Sequence, residues 1–197
     1  EDIEQPVDVT LEEAYHGATR LLALQTNAPC ATCGGTGLVQ NVACSVCRGA
    51  GVVAAVKRLE VKIPPGVRNG SRVRLAGKGG PGAGGGPAGD LYLVVSVRPH
   101  ALFTRTEDDL SVDVGVPLLM AVLGGEAEVP TLKGKLALKI PPETQNGRGF
   151  RLTGQGMPHL GRSGYGDLMA KVNVILPTRL TEKEKGLFQQ LKGLRPG

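Results

Sequence analysis

Short stretches of strict apolar–polar alternation run along the chain, punctuated by glycine and proline. Leu59-Glu60-Val61-Lys62-Ile63 and Leu136-Ala137-Leu138-Lys139-Ile140 put aliphatic side chains on one face of an extended strand, and each run stops at a Pro-Pro pair that cannot donate to a ladder. Asn69-Gly70 and Asn146-Gly147 follow as turn dipeptides, since both residue types tolerate positive φ. Further strands are predicted through Arg72-Val73-Arg74-Leu75, Phe150-Arg151-Leu152 and Leu91 to Val97, and Leu22-Ala23-Leu24 alternates in the same way. Helical spacing is scarce. Leu11 to Gly17 and Pro117 to Gly124 predict one or two turns each, closed by glycine. The longer helix starts at Thr181, where Glu184 completes a capping box and Leu187, Phe188, Leu191 and Leu194 make an apolar stripe.

These elements recur. Leu59 to Val97 matches Leu136 to Val174 at a constant offset of 77, with 18 identities in 39 positions where composition alone predicts about two or three. Val7-Asp8-Val9 resembles Val112-Asp113-Val114 at an offset of 105, and Ala14 to Gly17 resembles Ala121 to Gly124 at 107. The first copy therefore holds 28 to 30 extra residues, and all four cysteines fall among them. The expected architecture is all-β: two tandem homologous β-sandwich-like domains, a small cysteine module inserted in the first, and a short C-terminal helix. The boundaries are residues 1–29 plus 52–100 for the first domain, 30–51 for the insert, 101–180 for the second domain and 181–197 for the helix.

Composition narrows this further. The 197 residues include 30 Gly and 14 Pro but only three Tyr, three Phe and no Trp, which suits turn-rich sheets with small aliphatic cores. No run approaches the ~18–20 apolar residues of a membrane-spanning helix. The net charge of +5 is spread out, with no Lys/Arg block, and reads as a solvated surface. The first residue is Glu1 and no basic-then-apolar leader follows it, so the chain is expected to be a fragment or a processed product of a cytoplasmic protein.

Cys30-x2-Cys33 and Cys44-x2-Cys47 are ten residues apart, and each pair continues into glycines: Gly34-Gly35-Thr36-Gly37 and Gly49-Ala50-Gly51. Two such knuckles close four thiolates around one tetrahedral Zn2+, and the glycines let backbone N–H groups turn toward sulfur. Four sulfur ligands leave no open coordination position, so the ion is expected to be structural. A disulfide pair would leave the glycines idle, and a redox Cys-x-x-Cys is ordinarily single and opens a helix.

Set into a duplicated β unit, these repeats resemble the C-terminal substrate-binding and dimerisation region of the class A, zinc-containing Hsp40 (DnaJ-type) co-chaperones. Gly89-Asp90-Leu91 through Arg98-Pro99-His100, Leu123-Gly124-Gly125-Glu126, Val129-Pro130-Thr131-Leu132 and Gly154-x-Gly156-Met157-Pro158 carry the resemblance across essentially the whole chain. It implies binding of unfolded polypeptide clients by strand addition at a sheet edge of the first domain, with hand-over to an Hsp70 partner. By motif alignment the groove residues are Ile3, Leu22, Leu24, Leu59 and Leu93. It also implies a homodimer joined near the C-terminus, consistent with the stripe of Leu187, Phe188, Leu191 and Leu194. Two departures stand out. The family has four cysteine repeats and two zinc centres, whereas this sequence has two repeats; and none of His16, His100 or His159 is followed by the Pro-Asp of a J-domain motif.

No Gly-x-Ser-x-Gly, His-Glu-x-x-His or P-loop pattern occurs, and no enzyme is expected. Gly77-x-Gly79-x-x-Gly82 fits a dinucleotide fingerprint only formally, because Pro81 and Gly84-Gly85-Gly86 prevent a helix from opening there. Asp90 and Asp167 follow Gly at equivalent repeat positions and are read as turn residues. The alternative from another class is a zinc-ribbon nucleic-acid binder. Against it, the six aromatic residues are scattered and form no stacking platform.

Overall fold

The computed structural model describes residues 2–80 and 88–195. Of the Gly-rich loop expected from Gly77 to Gly89, Pro81 to Pro87 lie outside the described residues. The chain divides into two compact units: residues 1–101 with 158–164, and residues 102–157 with 165–197.

In the first unit β1 (Ile3–Val9) runs into α1 (Leu11–His16), then β2 (Ala18–Pro29). The small hairpin β3 (Leu38–Val39) and β4 (Val42–Ala43) precedes β5 (Val52–Ile63), β6 (Arg72–Leu75) and β7 (Leu91–Val97). The order of one sheet is β1-β7-β6, with β1 parallel and β6 antiparallel to β7. β2 and β5 form a separate antiparallel ladder, from Ala18 opposite Ile63 to Pro29 opposite Val52. The core is aliphatic: Val9, Val61, Ile63, Leu91, Leu93 and Val95 are all essentially fully buried. α1 holds its short length because Thr10 Oγ1 accepts from Glu13 N (3.2 Å) while Glu13 Oε2 accepts from Thr10 N (2.9 Å), both ends of a capping box. Glu13 also takes a 2.7 Å bond from Arg20 on β2, which ties helix to hairpin.

The second unit repeats this plan with β9 (Asp109–Pro117), α2 (Leu118–Leu123), β10 (Gly125–Thr131), β11 (Gly134–Ile140), β12 (Gly149–Leu152) and β13 (Leu168–Ile175). One strand is added: β8 (Phe103–Thr106), giving the sheet order β12-β13-β9-β8. The sequence reading did not foresee β8. Unlike the equally short β6 and β12, it lies outside the repeat at offset 77, so no second copy points to it. α3 (Glu182–Leu194) closes the unit, capped by Thr181 as predicted, with Glu184 Oε2 2.6 Å from Thr181 N.

Strand register corrects one offset. Val7 faces Val95 and Val114 faces Val172, so Val7 corresponds to Val114 and the offset is 107 and not 105. A slip of two residues returns every side chain to the same face, so alternation alone cannot detect it. With 107 in the early part and 77 later, the insert is 107 − 77 = 30 residues. Ten of these lengthen the hairpin, since β2 and β5 have 12 residues each where β10 and β11 have seven.

The turn reading of the paired aspartates holds in both copies. Asp90 accepts from Gly77 N (2.8 Å) and Arg74 Nε (2.6 Å), and Asp167 from Gly154 N (2.9 Å) and Arg151 Nε (2.6 Å). Asn69 and Asn146 cap the neighbouring strand by accepting from Val97 N and Val174 N, each at 2.8 Å.

Candidate metal centre and apolar cleft

The 12-residue hairpin carries the cysteine module at its tip, where Cys30 N donates to Gly51 O (2.9 Å). The module has an internal repeat of 14 residues. Cys30 and Cys44 correspond, as do Cys33 and Cys47, and Gly37 and Gly51. Gly37 N donates to Cys33 Sγ (3.3 Å) and Gly51 N donates to Cys47 Sγ (3.2 Å). Both glycines have positive φ, +75° and +72°. Each also lets a carbonyl of the other knuckle approach: a Cβ on Gly37 would meet Gly49 O, and one on Gly51 would meet Gly35 O. Only glycine meets both demands.

All four Sγ atoms lie within 4.8 Å of one another, with Cys30–Cys44 and Cys33–Cys47 each 3.8 Å apart. Sulfurs bound at ~2.3 Å in a tetrahedron stand ~3.8 Å apart, so the donor set fits a tetrahedral four-thiolate ion such as zinc. No disulfide joins them. The main-chain N–H of Cys33 is the largest influence on the Cys30 thiol and helps to hold it down to about 6, which favours the thiolate. Burial raises the Cys33 thiol, but the N–H groups of Gly37 and Gly35 outweigh it, and its pKa is lowered. At Cys47 burial wins, and the thiol is pushed up. A bound cation would reverse that last preference.

The predicted groove residues are placed differently from one another. Ile3 (36% exposed) and Leu24 (7%) line one cleft of about 340 Å³ together with Gln5, Ala23, Thr26 and Leu91. Leu22 and Leu59 are half-buried cross-strand partners on the hairpin. Leu93 does not line this cleft: it is fully buried, paired with Gln5 and Val73 in the middle of its sheet, whereas the equally buried Leu91 does line it. Leu91 was missed. It sits two residues along the same strand, and its alternation with Leu93 was the available signal. On α3, Leu187, Phe188 and Leu191 face Leu119, Pro177 and Leu180 across an apolar cleft of about 210 Å³, while Leu194 is 81% exposed and stands outside it.

A duplicated β unit with a four-thiolate module on an elongated hairpin defines a repeat-built β protein with an inserted metal module. The chain belongs to the DnaJ C-terminal domain family, whose model matches residues 3–177. It is 48% identical over 167 residues to the "Chaperone protein DnaJ" of Parageobacillus thermoglucosidasius, covering 83% of this chain and 40% of that protein. It is 50% identical over 165 residues to that of Geobacillus thermodenitrificans (84% and 43%), and 40% identical over 215 residues to "Chaperone protein DnaJ 2" of Aquifex aeolicus (90% and 57%). The chain thus spans about half the length of these relatives. Among the described residues no helix is long and apolar enough to cross a membrane.

Proposed function

We propose that this chain is the client-binding part of a DnaJ-type chaperone, holding unfolded polypeptide in the first unit and working with an Hsp70 partner. The observation that supports it best is the cleft beside β2, where Ile3, Leu24 and Leu91 stand next to Gln5, Gln25 and Lys78. β2 and β5 form a two-stranded ladder, so the outer edge of β2 carries no strand among the described residues, and Ile3 and Leu24 offer apolar surface next to it. An extended client gains main-chain hydrogen bonds along such an edge and selectivity from the cleft. Ile3, Leu22, Leu24 and Leu59 are the contact residues on this reading, with Leu93 supporting them from the core. One Zn2+ held by Cys30, Cys33, Cys44 and Cys47 stiffens the far end of the hairpin and takes no part in chemistry. Homodimerisation through Leu187, Phe188, Leu191 and Leu194 covers the half-exposed stripe of α3.

The test is suppression of aggregation of a chemically denatured client at near-stoichiometric chain, with single- and double-stranded nucleic acid as competitors. Suppression indifferent to nucleic acid, and lost in Ile3→Ser/Leu22→Ser with the thermal melt retained, is the expected result. Normal suppression by that double variant refutes the groove assignment. Absence of suppression, with salt-sensitive nucleic-acid binding, refutes the function and favours the zinc-ribbon alternative. Removal of residues 181–197 gives monomers in light scattering if α3 is the dimer contact.

A further inference from the structure

Five asparagines occur in the chain, and only Asn69 and Asn146 precede glycine. Glycine has no side chain to shield its nitrogen from the neighbouring carboxamide. When that nitrogen gives up its proton it attacks the asparagine Cγ. The ring C–N bond of a succinimide forms, the Cγ–Nδ2 bond breaks and ammonia leaves. Water then opens the ring at either carbonyl to give aspartate or isoaspartate, and no other reagent is needed. The remaining asparagines, Asn27, Asn41 and Asn173, are followed by Ala28, Val42 and Val174, whose Cβ crowds the attacking nitrogen.

Asn69-Gly70 and Asn146-Gly147 are all exposed, so burial does not keep water from them. Hydrogen bonds hold them instead. Gly70 N donates to Val95 O and Val97 N donates to Asn69 Oδ1, each at 2.8 Å. The first keeps the nucleophile protonated and engaged with β7. The second ties the carboxamide to the same strand, so that it is not free to rotate onto Gly70 N. Gly147 N to Val172 O and Val174 N to Asn146 Oδ1 repeat both contacts on β13, again at 2.8 Å. A further bond closes each turn, from Val95 N to Ser71 O and from Val172 N to Arg148 O, both 2.8 Å. The contacts that make the turn are therefore the contacts that block the chemistry.

We propose that Asn69 and Asn146 are latent deamidation sites, one in each unit, shut by the folded turn and reactive only in molecules whose β7 or β13 edge has opened locally. Each site records past opening of its own unit. The two products differ in effect. Aspartate keeps an oxygen for Val97 N or Val174 N, and its charge strengthens that bond. Isoaspartate adds a methylene to the main chain just before the glycine. Glycine nitrogen and side-chain oxygen then no longer reach their partners on one strand together, and the turn does not close again.

The whole chain is incubated with zinc at neutral pH while urea is raised stepwise below its melt, and peptide mapping by mass spectrometry follows each site. Synthetic peptides Val67–Arg72 and Gln145–Phe150 supply the unprotected rates. Without urea both sites are expected to convert at least about tenfold more slowly than the peptides. Their rates should rise with urea in step with amide hydrogen exchange at Gly70 and Gly147. When fully denatured, aged chain is returned to buffer, aspartate should enter the refolded fraction and isoaspartate should collect in the fraction that stays unfolded. Rates in the folded chain within about threefold of the peptides overturn the proposal. So do rates indifferent to urea while glycine exchange accelerates, or equal isoaspartate in the two fractions. None of these readouts depends on client binding.

Discussion

Gly34 and Gly37 separate two costs that glycine avoids in the metal module. Both have positive φ, +61° and +75°, so alanine at either site incurs the left-handed strain of about 1–2 kcal/mol. At Gly34 that is the whole effect, since an added Cβ has nothing within 4 Å. At Gly37 the Cβ would lie 3.1 Å from the Gly49 carbonyl carbon and closer still to its oxygen. The backbone must retreat there, although it also holds Gly37 N against Cys33 Sγ and Gly37 O against Cys44 N. Overpacking of this kind adds about 1–3 kcal/mol. Metal affinity in such a module is folding free energy, so these costs appear directly in it. Gly34→Ala is expected to weaken zinc binding about 5- to 30-fold and Gly37→Ala about 30- to 5,000-fold. Chelator competition at pH 7 measures both. Losses within threefold of each other would refute the close-approach argument and leave φ strain as the only cost.

Asp90 and Asp167 are held below the usual carboxylate range, chiefly by the N–H groups of Gly77 and Gly154 and then by Arg74 and Arg151. A lowered folded-state value gives stability that is complete above the ordinary aspartate value near pH 3.9 and lost as pH falls through the folded one. Asp90→Asn/Asp167→Asn should therefore be less stable at pH 7, with the deficit shrinking below about pH 4; urea melts from pH 7 to 2 that show a constant deficit contradict this. Leu93→Ala should cost about 2–5 kcal/mol and Leu22→Ala about 1 kcal/mol, because only the first empties a fully buried site. Equal costs in denaturant melts would contradict the core placement of Leu93.

The features legible in the sequence are those written in short-range chemistry. Cys-x-x-Cys spacing with trailing glycines specifies the sulfur cluster, because knuckle geometry is local. Alternation, Pro-Pro stops and Asn-Gly turns specify most strands, and Thr-x-x-Glu marks the start of α3. Gap-free repetition at 77 makes the duplication plain, since both copies solve the same packing problem. Pairing and depth are not local. Leu22, Leu24, Leu91 and Leu93 look alike on the chain, yet one is half-buried, one lines the cleft from its edge, one forms the cleft floor and one is sealed in a sheet. The difference depends on which strands lie over them, and alternation assigns a face without saying whether that face is covered. The same reason hides the true offset of β1 and the bare edge beside Ile3. A two-residue slip preserves every face, and only the assembled ladders reveal that β9 has a covering strand where β1 has none among the described residues.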